Sequence, residues 1–120
     1  MKGYLFLEYP ACGTCRKAKK WLDEQKVDYT DRHIVEERPT REELKIWFER
    51  SGLPLRKFFN TSGLLYKSMQ LREKLDGMSG EEQLELLASD GKLVKRPLVI
   101  GEDFVLVGFK PEEWEKVLLK

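Results

Sequence analysis

The sequence is poor in metal ligands: its 120 residues include two cysteines and one histidine. A structural zinc site asks for four ligands at set spacings, and His33 has no second histidine or second CxxC pair to join it, so no metal is expected. Long apolar runs are also missing. The opening stretch MKGYLFLEYPACG holds only about five apolar residues before Glu8 and Pro10, too few for a signal-peptide core or a membrane span. The expectation is a cytoplasmic chain that does not engage a membrane. Net charge is close to absent, with 22 Lys plus Arg against 21 Asp plus Glu. No global field or basic stripe draws in nucleic acid, so direct binding to it is not expected.

What is present is enough for a core. The chain is 41% hydrophobic and 11% aromatic, and its length suits a single domain, residues 1–120, that needs no covalent staples. In a reducing compartment a cysteine pair is then free for catalysis, redox sensing or metal binding.

The pair lies in YPACGTCRKAKKWL. Ahead of it, residues 3–9 (GYLFLEY) read as a buried strand stopped by Pro10. After it, Ala18, Trp21 and Leu22 recur at helical spacing. A second strand is expected over about 28–34. PTREELKIWFERSG opens on a Thr40/Glu43 capping box and closes at Gly52. Residues 53–70 read as short helical turns with a loop, and 71–77 as a further helix. SGEEQLELLASDG repeats the start signal with Ser79 and Glu82 and reads as stopping at Gly91. RPLVIG and FVLVGF form a predicted antiparallel hairpin, and Pro111 opens a last helix with Trp114, Val117 and Leu118 on its apolar stripe. The outline is β-α-β, a helical stretch over about 40–94, then β-β-α.

The strand-to-helix setting favours thiol chemistry. A thiolate is stabilised at a helix N-terminus and beside cations. Cys12 sits at the helix mouth with Arg16 close by, which makes it the attacking thiol. Cys15, one turn on, is placed to resolve a mixed disulfide by pairing with it. A metal site and an inert buried pair are the competing readings. His33 reads as a strand-edge residue, Trp21, Trp47 and Trp114 as core, and Lys17, Lys19 and Lys20 equally as a solvated face or an anion site. Pro97 reads as a residue opening a strand, where a cis peptide would redirect Arg96.

Together YPACGTCRKAKKWL, NTSG, LLASDGKLVKRPLVI and VLVGFKPEEWEKVL resemble the ArsC/Spx family of glutaredoxin-type arsenate reductases and Spx-like regulators. The resemblance covers nearly the whole chain. It implies an α/β thioredoxin-like fold, a four-stranded mixed sheet with a helical insertion between strands 2 and 3. It implies further that Cys12 is the active cysteine and Pro97 a cis-proline forming the wall it faces. No bound cofactor is implied; glutathione with glutaredoxin, or thioredoxin, would act as external reductant of a small oxyanion or thiol substrate. Arg96 matches an arginine that holds the oxyanion or thiolate. Asn60 and Lys110 stand where the reductases carry further arginines, and neither offers a charged planar fork. Cys15 is typical of the Spx-like branch, whose disulfide is a redox switch and whose partner is the C-terminal domain of the RNA polymerase α subunit.

Overall fold

The computed structural model describes residues 3–119; the outermost positions of the expected 1–120 domain, residues 1, 2 and 120, lie outside it. Strand β1 (Tyr4–Glu8) runs into helix α1 (Gly13–Glu24), and strand β2 (Tyr29–His33) follows. Four helices come next: α2 (Arg41–Ser51), α3 (Leu64–Ser68), α4 (Leu71–Lys74) and α5 (Gly80–Ser89). Tight 3₁₀ turns at Leu55–Phe58, Leu75–Gly77 and Gly91–Leu93 link them. Strands β3 (Leu98–Ile100) and β4 (Val105–Val107) and helix α6 (Pro111–Leu118) complete the chain. Sheet order is β2-β1-β3-β4, with β1 parallel to β2 and antiparallel to β3, and β3 antiparallel to β4. This is the expected mixed sheet, with the helical insertion between its second and third strands.

Side chains of β1 alternate between two cores, as a pleated strand requires. Leu7 joins Leu44, Trp47, Leu84, Leu87 and Leu98 under the insertion helices. Phe6 points the other way, into a cluster with Ala18 and Leu22 of α1, Val99, Leu106 and Trp114 of α6. Trp114 is fully buried; its indole N–H donates to the Gly108 carbonyl (3.0 Å), and its rings meet Phe6, Trp21 and Phe109 edge-on. That satisfies its one polar atom while keeping its large apolar area out of water. Trp47 and Trp114 are core as expected, but Trp21 is only half-buried, at the open edge of this cluster.

The insertion starts and stops where the sequence says it should. Both capping boxes form: Thr40 and Ser79 each accept from the backbone N–H three residues on, and Glu43 and Glu82 reach back to the cap N–H groups. Gly52 ends α2 in the left-handed conformation (φ 70°) that glycine tolerates best. The segment expected as one helix over 71–77 is instead α4 plus a 3₁₀ turn.

Gly91 is a correction to the sequence reading. Helix α5 ends at Ser89, capped by Asp90, and Gly91 is needed for space: a methyl group there would collide with the Ile34 carbonyl just beyond β2. Gly91→Ala is therefore expected to destabilise the protein by about 1–3 kcal/mol, the usual penalty for overpacking. A urea titration should show a lower midpoint with an unchanged slope; an unchanged midpoint would mean that the Ile34 backbone yields freely.

Candidate functional site

Pro10 ends β1, the chain turns, and α1 begins directly after Cys12. Cys12 is the N-cap: its backbone is extended (φ −87°, ψ 122°), and its sulfur accepts the Cys15 N–H at 3.3 Å. The sulfur thus takes the place of the side-chain oxygen of an ordinary cap, meeting one of the otherwise unpaired amides of the first turn. Cys12 is half-buried. Cys15 faces inward, is wholly buried, and accepts the Tyr9 N–H at 3.5 Å. Both thiols are free.

The two sulfurs are driven in opposite directions. Burial works against a charge on Cys12, but hydrogen bonds from the Cys15 side chain and N–H, together with the Arg96 guanidinium, outweigh it and hold the thiol below its ordinary range. Burial pushes the Cys15 thiol up to about 12, and the neighbouring Cys12 adds to that rise. Cys12 is therefore the member of the pair that ionises more readily.

Arg96 is the cation that reaches the pair. Its guanidinium carbon lies 4.9 Å from the centre of the Tyr9 ring, and its Nη1 is buried without a hydrogen-bond partner. The Arg96–Pro97 peptide is cis, Pro97 is buried, and its carbonyl accepts the Gly108 N–H at 2.9 Å. That bond ties the Arg96 segment to the end of β4 and so to the approach to α6.

Among the described residues, none of the other expected anion-binding side chains hydrogen-bonds to a cysteine sulfur. Arg16 is exposed and donates to the Pro10 carbonyl at 3.0 Å. Arg96, also expected at the site, is the cation among the main influences on the Cys12 thiol. Asn60 is buried, with its backbone N–H on the Leu93 carbonyl and its side-chain oxygen accepting from Ser62. Lys110 is exposed and caps α6 without a side-chain bond. His33 closes β2, and its Nδ1 accepts the Val35 and Glu36 N–H groups, a turn-forming role. Among the described residues no group of three or more His, Cys, Asp or Glu is placed to hold a metal, and no helix is long and apolar enough to cross a membrane.

One group escaped the sequence reading. Glu8 follows the alternation of Phe6 onto the α1 side of the sheet and is only 5% exposed. There it meets Asp31 of β2, which holds a salt bridge with Lys19 of α1 (2.8 Å). Burial first, and then the Asp31 carboxylate, push the Glu8 carboxyl up to about 7. Burial opposes the Asp31 charge, but the hydrogen bond with Glu8 and the charge of Lys19 prevail and lower it. The available signal was the two-residue period of β1, which puts an acid on a face otherwise lined by Phe6.

A family model described as the ArsC family matches residues 7–117. The uncharacterized protein YusI of Bacillus subtilis is 57% identical over 92% of this chain and 94% of its own. The regulatory protein MgsR of the same organism is 33% identical over 96% of this chain and 90% of its own. Among solved structures, an ArsC family related protein from Bacteroides fragilis superposes with a TM-score of 0.93 at 66% identity, covering 97% of each chain. A Streptococcus mutans protein described as a possible arsenate reductase gives 0.87 at 42% identity, over 96% of this chain and 99% of its own.

Two measurements test this electrostatic arrangement. Iodoacetamide should alkylate Cys12 at pH values where Cys15 is silent, and Arg96→Ala should move the alkylation midpoint up by about one pH unit; an unmoved midpoint would remove Arg96 from the thiolate's surroundings. The raised Glu8 carboxyl stabilises the fold while it keeps its proton, so this contribution is present below its ordinary value of 4.5 and is lost as pH rises through about 7. Glu8→Gln, a stand-in for the protonated acid, should melt above the parent protein at pH 8, with the gap closing towards pH 5. A gap that widens in acid would overturn the assignment.

Proposed function

We propose, on the premise that this chain belongs to the ArsC family, that it is a thiol-disulfide oxidoreductase in which Cys12 attacks and Cys15 resolves. The observation that carries this reading is the opposed setting of two adjacent thiols, one eased towards the thiolate by an N-cap hydrogen bond and Arg96, the other held protonated by burial. With a disulfide substrate, the Cys12 thiolate attacks one sulfur, the substrate S–S bond breaks, and the other half leaves as a thiolate that takes a proton from water. Cys15 then gives up its proton and attacks the Cys12 sulfur, which closes the Cys12–Cys15 bridge and releases the second half as a thiol. An external dithiol or glutathione restores both cysteines.

Reduction of an oxyanion such as arsenate is the finer version. Arg96 would pair with the oxyanion. Asn60 contributes no charge and Lys110 no bidentate fork, so turnover with glutathione and glutaredoxin should be slow and should rise in Asn60→Arg.

A second reading, a regulatory protein, is favoured by the similarity to the regulatory protein MgsR; redox sensing and contact with the RNA polymerase α subunit are what the resemblance to Spx-like regulators implies. The same bridge would then alter the affinity of a surface for the polymerase.

Mass spectrometry of the mildly oxidised protein, with and without glutathione, separates the chemistries. The dithiol reading expects a bridge two mass units lighter than the reduced chain in the parent protein, and a stable glutathione adduct on Cys12 only in Cys15→Ser. An adduct that persists in the parent would instead assign a one-thiol route. A redox-dependent pull-down with the polymerase α C-terminal domain would favour the regulatory reading, and absence of binding in both states would remove it.

A further inference from the structure

Tyr9 is the residue on which the parts of the thiol site converge. It follows Leu5 and Leu7 onto the insertion side of the sheet, where it packs half-buried against the core under those helices. Its backbone holds both cysteines: its N–H donates to the Cys15 sulfur at 3.5 Å, and its carbonyl accepts the Cys12 N–H at 2.9 Å. Its ring lies against the Arg96 guanidinium, whose carbon is 4.9 Å from the ring centre, and meets the His33 ring edge-on at 5.6 Å. His33 is itself fixed, since its Nδ1 accepts the Val35 and Glu36 N–H groups. The Tyr9 ring thus stands between a braced imidazole and the guanidinium that acts on Cys12.

We propose that Tyr9 is a positioning residue of the thiol site, its ring holding the Arg96 guanidinium against the Cys12 sulfur while its backbone holds the two thiols. The inference rests on Cys12 being the attacking thiol and names the residue that aims the cation at it.

The surroundings of Arg96 leave this task to the ring. Among the described residues no carboxylate forms a salt bridge with Arg96, and its buried Nη1 has no hydrogen-bond partner. An aromatic face attracts a guanidinium within about 6 Å of its centre and fixes the plane of the fork. The choice of an aromatic group matters for the chemistry. A carboxylate in the same place would also fix Arg96, but it would offset the positive charge and set a second negative charge beside the thiolate. A ring fixes the cation without consuming its charge or its N–H donors, so both remain for the sulfur. Of the other titratable groups nearby, Glu8 points to the opposite face of the sheet, Arg16 donates to the Pro10 carbonyl, and Lys110 is exposed at the start of α6. These and His33 are common to all the chains compared below.

The test measures the pH midpoint of Cys12 alkylation by iodoacetamide in the full chain, in Tyr9→Leu, Tyr9→Phe and Arg96→Ala, and in the double variant Tyr9→Leu with Arg96→Ala. Tyr9→Leu should raise the midpoint by about half a pH unit, an about threefold loss in the ionisation constant and the effect of one cation–π contact. Tyr9→Phe keeps the ring face and should keep the parent midpoint. In the Arg96→Ala chain, Tyr9→Leu should move the midpoint no further, because the group it positions is gone. A shift that persists there means that Tyr9 acts through Cys15 or His33 and overturns the inference. An unmoved midpoint in Tyr9→Leu, or an equal shift in Tyr9→Phe, overturns it too. Should Tyr9→Leu fail to fold, the parent chain decides by NMR: the Tyr9 ring current should move the Arg96 side-chain protons upfield, and random-coil shifts overturn the stacking. All of these outcomes leave the thiol reading standing. A parent midpoint no lower than that of a free cysteine overturns the thiol reading and this inference with it.

Discussion

Strand β1 has to satisfy two cores and lead into the cysteine-bearing turn within five residues, and most of the molecule is arranged around that demand. It is the one strand hydrogen-bonded to both a parallel and an antiparallel neighbour, β2 and β3. Its pleat sends Leu7 beneath the insertion helices and Phe6 against α1 and α6. A slip of one residue would exchange those faces, bury the wrong side of each cluster and move the turn that carries Cys12. Register in β1 therefore fixes where the thiols stand relative to Arg96, which arrives from the far end of the sequence just ahead of β3.

The chemistry follows from the different depths at which two like groups are held. Cys12 and Cys15 differ in little but their place on α1: one caps the helix and touches Arg96, the other lies on the buried stripe with Ala18 and Leu22. Three residues along a helix, nearly one turn, set two like thiols apart, one eased towards the thiolate and the other held protonated by burial. The insertion helices take no part in this difference; they close the opposite face of the sheet.

Local signals were the legible ones. The capping boxes at Thr40 and Ser79, the stop at Gly52 and the CxxC turn between strand and helix each depend on a few consecutive residues, and all could be read before the fold was known. Groups assembled by pairing distant segments were harder. Glu8 becomes a perturbed acid only because the parallel register of β1 and β2 brings it near Asp31 and α1 covers both. Gly91 looked like a helix terminator because the sequence could not reveal the Ile34 carbonyl pressed against it. Arg96, distant along the chain, came into view through the resemblance and not through any local pattern, and its guanidinium is among the main influences on the Cys12 thiol. For Glu8 and Gly91 proximity along the chain was the wrong measure of proximity in the fold.

The N-cap position of Cys12 also shapes how the protein can be dissected. Serine is among the best residues for capping a helix, and its hydroxyl oxygen can accept the same Cys15 N–H that the sulfur accepts here. Exchange of sulfur for oxygen at this one position removes the thiol and preserves the support of the first turn of α1. An alanine would lose both, with about 1 kcal/mol of helix stability going with the cap. Comparing the two substitutions separates what the sulfur does as an atom in a reaction from what it does as an atom in the architecture.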